Sequence, residues 1–472
     1  VTSTLNLNTC IEETNMVRIT VINFAPGSIA SDQTICEGTA PAAFTSVAAS
    51  GDGVKTYQWQ ESTDNITFVN VASAGNNVTY AAGALTQDTW FRRVVTATLN
   101  LTACVEITDT VRVTVNNFDP GSISADQEIC EGGTPAAFTS VAPTGDGTFT
   151  YQWQSSLDGT SFTNITGALN ETYAAGALTA DTWFRRQVTS TLNGAPCTEL
   201  TAAVRVTVNN FTPGTISAAQ TICEGDIPAA FTATAPAGDG TFTFQWQDSP
   251  DGITFTDIGG ATAATFAPAA LTQDTWYKRV VTSTLGASTC IGQSNIIKVT
   301  VNNFDPGSIG SDQTICENTA PSPLTSVSPT GDGVFTYRWF RSTDGTNFTE
   351  VIGAIGETYS PGALTADTWY RREVTSTFNA KTCVEITNTV LITVNNFVPG
   401  SISADQTICE GDVPAAFTSV TPTGDGTYSY QWKESLDGVA FTDIAGANGE
   451  TYAPPALTVD TWFKRAVTST LN

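Results

Sequence analysis

Histidine is absent from this sequence, methionine occurs once, and 19 basic residues face 45 acidic ones. Without an imidazole there is no Ser-His or Cys-His couple to activate a nucleophile and no His pair to hold a catalytic metal. Neither a nucleophile elbow nor a phosphate-cradling glycine loop is present, so no catalytic residue, metal ligand or cofactor is expected. A net charge of −26 argues against nucleic acid and against an anionic membrane surface as partners. Long apolar runs are missing too, and no stretch reaches the length a membrane-spanning helix needs. No 3.6-residue stripe is sustained. Thr, Val, Ala, Gly and Ser dominate instead, with turn clusters at short intervals, which predicts an all-β chain.

The sequence does contain repetition. A Pro-Gly turn preceded by Asn-Phe-X recurs at Pro26, Pro120, Pro213, Pro306 and Pro399, an interval of about 93 residues over a chain of 472. That is the size of one small β-sandwich and too long for a solenoid repeat. The expected organisation is residues 1–24 as the last strands of a preceding unit, repeats at 25–118, 119–211, 212–304 and 305–397, and an incomplete fifth at 398–472. Val467–Asn472 copies Val1–Asn6, so the sequence is expected to be a segment of a longer array. The junctions are Phe118-Asp-Pro120-Gly121, Phe211-Thr-Pro213-Gly214, Phe304-Asp-Pro306-Gly307 and Phe397-Val-Pro399-Gly400. Proline presets φ there and glycine accepts what other residues resist.

Within repeat 1 the pattern predicts strands over 28–35, 43–47, 57–60, 67–71, 79–81, 91–98 and 105–115. Tyr57-Gln-Trp-Gln60 alternates strictly, which puts Trp59 in the core, and with it Trp153, Trp246, Trp339 and Trp432. Seven short strands with turns every 8 to 12 residues describe an immunoglobulin-like sandwich, repeated in tandem as a rod or filament. The words Gln-Thr-Ile-Cys-Glu-Gly, Pro-Ala-Ala-Phe-Thr-Ser, Tyr-Gln-Trp-Gln, Asp-Thr-Trp-Phe-Arg-Arg and Val-Arg-Val-Thr-Val-Asn-Asn-Phe resemble the tandem Ig-like or PKD-like repeats of giant Bacteroidota cell-surface proteins. The resemblance implies an extracellular, type IX-secreted adhesin or surface filament.

Ten cysteines fall at 10, 36, 104, 130, 197, 223, 290, 316, 383 and 409, two per repeat. Regular spacing with no histidine favours disulfides in an oxidising compartment over zinc. Three pairings fit the counts. Cys36 with Cys104 lies within a repeat, but the strand frame puts these residues at opposite poles, beyond the ~7 Å limit for bridged Cα atoms. Cys104 with Cys130 would fold neighbouring repeats side by side. End-to-end stacking would join Cys36 to Cys197, Cys130 to Cys290 and Cys223 to Cys383, and this set is preferred by a narrow margin.

Other repeated residues carry competing readings. Trp90 and its counterparts belong either to the core or to a sugar-stacking row, and the strand after it needs a bulge or a snorkelling arginine, because Arg92 and Arg93 occupy both faces. The pairs Arg92-Arg93, Arg185-Arg186, Lys278-Arg279, Arg371-Arg372 and Lys464-Arg465 form a possible basic stripe for glycans, or pair internally with the many acids. Gly51-Asp52-Gly53 turns supply too few oxygens for calcium. Every notable residue is built five times, as a spacer or multivalent surface requires. The sequence thus points to a structural surface fibre whose partners are neighbouring repeats or further copies, with a multivalent glycan-binding adhesin as the alternative.

Overall fold

The computed structural model describes residues 2–72 and 75–471, and every regular element among them is a β-strand. Val1 and Asn472, which bound the copied hexapeptide, lie outside the described residues. The chain divides into two compact units. One holds Val1–Thr212, Pro236–Phe242 and Thr282–Gly292; the other holds Pro213–Ala235, Thr243–Val281 and Gln293–Asn472.

Repeat 2 shows the plan. Its strands are β1 Phe118–Asp119, β2 Ser122–Ile123, β3 Gln127–Cys130, β4 Ser140–Val141, β5 Thr144–Gly145, β6 Thr148–Ser156, β7 Thr163–Asn164, β8 Thr182–Leu192, β9 Ala195–Leu200 and β10 Val204–Asn209. One sheet runs β3-β10-β8-β6-β7, with β9 folding back on β8 and β3 parallel to β10. The facing layer is made of the short pairs β1–β5 and β2–β4 and the bridge Phe138–Tyr173.

Two expected strands are in fact broken, each for a visible reason. The first, 28–35 in repeat 1, is Ser28–Ile29 in one layer and Gln33–Cys36 in the other. Asp32 sits between them and accepts the Arg112 backbone N–H at 2.7 Å, pinning the crossover. The last, 105–115, is Thr102–Ile107 and Val111–Asn116, which pair with different halves of the eleven-residue strand Thr89–Leu99. Thr108 makes the break, accepting the Arg93 N–H on its hydroxyl and donating its own N–H to Arg93 O, both at 3.0 Å.

Alternation in β6 and β8 builds the core. Trp153 is fully buried; its ring stacks on Phe138 at 5.6 Å and meets Tyr173 at 5.5 Å. Phe184, Val204, Val206, Ala168 and Ala175 close round it. The indole N–H donates to Asn170 O at 2.9 Å, so burial leaves no orphaned donor. Trp59, Trp246, Trp339 and Trp432 are likewise fully buried. Burying a side chain of that size contributes roughly 4–6 kcal/mol per repeat.

Inward from β8, between Phe184 and Val188, lies Arg186, with no exposed surface. Its guanidinium donates to Ser140 Oγ, Glu171 O (2.9 Å), Pro120 O (2.8 Å) and Val141 O (3.3 Å), and lies over the Tyr151 ring at 5.1 Å. A buried cation is tolerated here because backbone carbonyls replace its water. Burial still pulls its pKa below the usual arginine value. Arg93, Arg279 and Arg372 repeat the arrangement. Neither a bulge nor a snorkelling arginine is needed in repeats 1 to 4, since the second member of each basic pair points inward, where its two terminal nitrogens find acceptors and only its Nε is left without a partner.

Candidate functional site at the repeat junctions

The Val-Asn-Asn-Phe words lie where one repeat meets the next. Asn116 ends the last strand of repeat 1 and is 1% exposed. Its Nδ2 donates to Ser190 O at 3.1 Å, and its Oδ1 accepts the Ser190 hydroxyl at 3.0 Å. Phe118 packs on Val188 and Cys197, with its ring 5.7 Å from that of Phe149. The Gly145-Asp146-Gly147 turn clasps the linker from the other side: Asp146 N–H donates to Asn117 O at 3.0 Å, and its carboxylate accepts the Asn117 N–H at 3.4 Å. Gly145 has φ +116°, and a Cβ there would come within 2.4 Å of Asn117 O. The approach is open only to glycine. Asp52, Asp239, Asp332 and Asp425 clasp Asn23, Asn210, Asn303 and Asn396 in the same way.

The hairpin joining β8 to β9 reaches across the junction. Asn193 and Gly194 both have positive φ, the two-residue turn a twisted hairpin favours. Asn193 Nδ2 donates to Thr34 Oγ1 of repeat 1 at 3.2 Å. This brings Cys197 onto Cys36, and the two are disulfide-bonded with Cα atoms 5.4 Å apart. Cys130 is bonded to Cys290, beside Asn209 on Ser283, and Cys223 to Cys383, beside Asn302 on Ser376. Glu128 accepts the Ala287 N–H at 2.6 Å at the second of these junctions, and Lys381 lies 3.4 Å from Asp226 at the third.

Cys10, Cys104, Cys316 and Cys409 are unpaired. Thus neither Cys36–Cys104 nor Cys104–Cys130 forms. Cys104 lies on the Thr102–Ile107 strand of the hairpin, paired with Ala97, whereas Cys36 lies at the other end of the sheet beside Asn116. The fourth junction keeps its other contacts, with Asn395 on Ser469 and Phe397 at 6.0 Å from Tyr428.

The expected basic stripe is largely consumed by packing. Arg93, Arg186, Arg279 and Arg372 are buried, while Arg92, Arg185, Lys278, Arg371 and Lys464 lie on Phe rings at 3.8–4.3 Å. Arg112, Arg205 and Lys298 pair with Asp88, Asp181 and Asp274 and cover Trp90, Trp183 and Trp276. Gly159 and Gly252 also approach Trp183 and Trp276 so closely that a Cβ would lie 3.2 and 3.1 Å from the ring. These indoles are engaged by their own repeat.

A groove of about 630 Å³ in repeat 2 is floored by Tyr173 and Phe184 and rimmed by Ser155, Asp158 and Ser161; repeat 1 has a smaller one of about 410 Å³. Asp158 is engaged by its own hairpin. The Ser161 and Thr160 N–H groups and the Ser156 hydroxyl hold its carboxyl well below the usual range.

Sequence reasoning missed Asn116 and Ser190 with their counterparts, and read Arg186 only as part of a basic stripe or an ion pair. The available signal was parity: Ser190 and Arg186 share the inward phase of Phe184 and Val188.

No curated protein sequence matches the chain. Solved structures similar to it include three N-terminal domains of the Highly Immunogenic Outer Capsid protein of bacteriophage RB49, at 13% identity and TM-score 0.29, covering 59% of this chain and 100% of that one. The insect immune protein hemolin is 9% identical at TM-score 0.24, covering 79% and 100%. Sidekick-1 immunoglobulin domains 1–5 are 12% identical at TM-score 0.22, covering 93% and 91%. Residues 25–117, 119–210, 212–303, 305–396 and 398–471 each match one domain of unknown function, and the chain belongs to that family, DUF8696, as a tandem array of its immunoglobulin-like domains.

Proposed function

We propose that the chain is a non-catalytic structural array, a stalk or fibre whose working part is the junction between repeats. The observation that carries this is the pairing of Cys36 with Cys197, Cys130 with Cys290 and Cys223 with Cys383, each joining one repeat to the next. Junctions that are clasped, packed and cross-linked resist bending, whereas a hinge would leave its linker free. Disulfide use supports an extracellular setting. Together with the resemblance to Bacteroidota surface repeats, it supports a place on the cell surface of such an organism after type IX export.

The test is a non-reducing disulfide map by proteolysis and mass spectrometry. Recovery of the three cross-junction peptides is expected. Bonds of Cys36 to Cys104 and their equivalents would make the repeats independent beads and overturn the proposal. The repeated grooves beside Tyr173 and in repeat 1 favour a second reading, a multivalent adhesin with weak glycan sites. Saturable binding on a glycan array, lost in Tyr173→Ala, would establish it.

A further inference from the structure

The three cross-linked junctions share their main contacts: an Asn at the end of one repeat's last strand meets a Ser of the next repeat, and a hairpin cysteine is bonded to a Gln-X-Ile-Cys word. Nothing in these tells one junction from another. The hairpin tips differ, however, and each difference is met on the word it touches. Gly286 stands where the tips of repeats 1, 2 and 4 have Asn100, Asn193 and Asn379, and Glu128 stands where the words of repeats 1, 3 and 4 have Thr34, Thr221 and Thr314. These two departures from the repeat fall on opposite sides of one junction.

Their chemistry explains the match. Asn193-Gly194 and Asn379-Ala380 are left-handed at both positions, as a type I′ turn is, whereas at Gly286-Ala287 only the glycine is, with φ +55°. That is the type II′ pattern, which turns over the peptide between the two residues. The N–H of that peptide, on Ala287, donates to the Glu128 carboxylate at 2.6 Å. A Cβ on residue 286 would come within 2.1 Å of Glu128 Oε1, so the carboxylate and an asparagine tip compete for one place. A threonine at 128 would carry its hydroxyl two carbons nearer the backbone and leave the Ala287 N–H without this acceptor. At the first junction the pair is Asn193 Nδ2 on Thr34 Oγ1 at 3.2 Å. At the third, Lys381 lies 3.4 Å from Asp226. The tips of repeats 2 and 3 have Ala195 and Ser288 in place of that lysine, and the words of repeats 1 and 2 have Thr39 and Gly133 in place of that aspartate.

We propose that hairpin tip and word form matched pairs, so that each hairpin accepts the word of the repeat before it and rejects the words of other repeats, including those of a second copy folding alongside. Glu128 with Gly286 and Asp226 with Lys381 are the specificity-determining residues. Offered to the first or third word, the tip of repeat 3 points its Ala287 N–H at a threonine; offered to the second word, the tip of repeat 2 or 4 brings an asparagine side chain against Glu128. Offered to the first or second word, Lys381 finds Thr39 or Gly133. Each pair lies near solvent and adds little to stability. Specificity, however, is a difference between affinities, and modest differences are enough when the remaining contacts are shared. Discrimination has a use here because every word presents the same cysteine, and oxidation fixes whichever hairpin is docked. This inference rests on the junction being the structural element of the chain.

The test uses the 472-residue chain with Cys10, Cys104, Cys316 and Cys409 replaced by Ser, so that only the six junction cysteines react. Equal amounts of heavy-isotope and unlabelled chain are denatured, reduced and refolded together in a glutathione redox buffer, and the disulfides are mapped by mass spectrometry. Docking is read separately, by hydrogen exchange in a peptide covering residues 282–292. Gly286→Asn, which copies the Asn379-Ala380 tip, and Glu128→Thr should each speed that exchange roughly five- to tenfold, the weight of one lost hydrogen bond. Each should raise mispaired links by a similar factor, Cys290 bonding to Cys36 or Cys223 in the first variant and Cys130 bonding to Cys197 or Cys383 in the second. The double variant copies the pair of Asn193 and Thr34, so exchange should return to within about twofold of the parent. Mispaired links should nevertheless stay high, because the junctions now match alike, whereas a purely structural role would move exchange and mispairing together. Mispairing that neither single variant raises or that the double variant restores to the parent level, or exchange that stays fast in the double variant, overturns the proposal with the stalk reading intact. A parent chain without the three native pairs overturns both.

Discussion

Adjacent arginines in one word of sequence should behave as opposites. Arg186→Met keeps most of the side-chain volume but removes the donors to Pro120 O, Val141 O, Glu171 O and Ser140 Oγ. Each buried acceptor left without a partner costs about 1–3 kcal/mol. Relief from burying a guanidinium offsets part of this, and some carbonyls regain water, so the net cost is set at about 3–5 kcal/mol, well below the sum over four acceptors. Arg185→Met loses the stack on Phe162 at 4.0 Å and one bond to Gln154, both near the surface. That costs about 0.5–1 kcal/mol. Unfolding of a linked array is not two-state, so the assay is amide hydrogen exchange by mass spectrometry on the whole chain, read in peptides covering residues 140–141 and 182–192. About 3 kcal/mol corresponds to exchange roughly 100-fold faster in repeat 2 of the Arg186 variant. If the two variants are alike, or Arg186→Met changes exchange less than threefold, the buried arginine is not the clamp described.

Repeats 3 and 4 should loosen first in alkali. Burial pushes Tyr277 and Tyr370 up to about 12, while Phe91, Phe184 and Phe463 hold that place in the other repeats. A phenol raised in the folded state contributes stability that is complete below its unfolded value near 10 and lost as pH climbs to about 12, at most about 3 kcal/mol each. Exchange between pH 9 and 12 should therefore separate these repeats from repeat 2; Tyr277→Phe should abolish the difference in repeat 3, and Tyr370→Phe should reduce it in repeat 4, where burial also raises Tyr337. At the second junction, Asn209→Ala removes two buried hydrogen bonds, to the Ser283 carbonyl and hydroxyl, the hydroxyl keeping Asp239 O at 2.6 Å, and should cost about 1–3 kcal/mol in local opening. The double change Asn209→Ile with Ser283→Ala copies Ile22 and Ala97, which stand at those positions two junctions earlier, and should recover at least half of it.

Sequence pattern revealed the core more fully than the junction. Trp153 was legible because strict alternation in a nine-residue strand leaves one answer for its direction. The ends of the first and last strands were not, because their breaks depend on Asp126 and Thr201 meeting residues far along the chain. The cysteine spacing admitted three pairings, since separation in sequence does not say which poles touch; the bond from Cys36 to Cys197 follows from where the hairpin tip lies. Arg186 read as surface charge because charge is normally kept in water, and only the convergence of four acceptors makes its burial possible. Asn116, one residue past the expected last strand, carried no reading of its own, although its partner Ser190 stood on an inward phase.

The three disulfides also overlap along the chain: Cys36 to Cys197, Cys130 to Cys290 and Cys223 to Cys383. Each ring opens before the previous one has closed, so every peptide bond from Cys36 to Cys383 lies inside at least one ring. A single protease nick anywhere in that span leaves one covalent molecule. Tension has a shorter route than the backbone as well, crossing from Cys36 to Cys197, following the peptide only as far as Cys223, and crossing again to Cys383. Any of repeats 1 to 4 that unfolds under load is bypassed between its cross-links, so damage to one of these domains stays local to it.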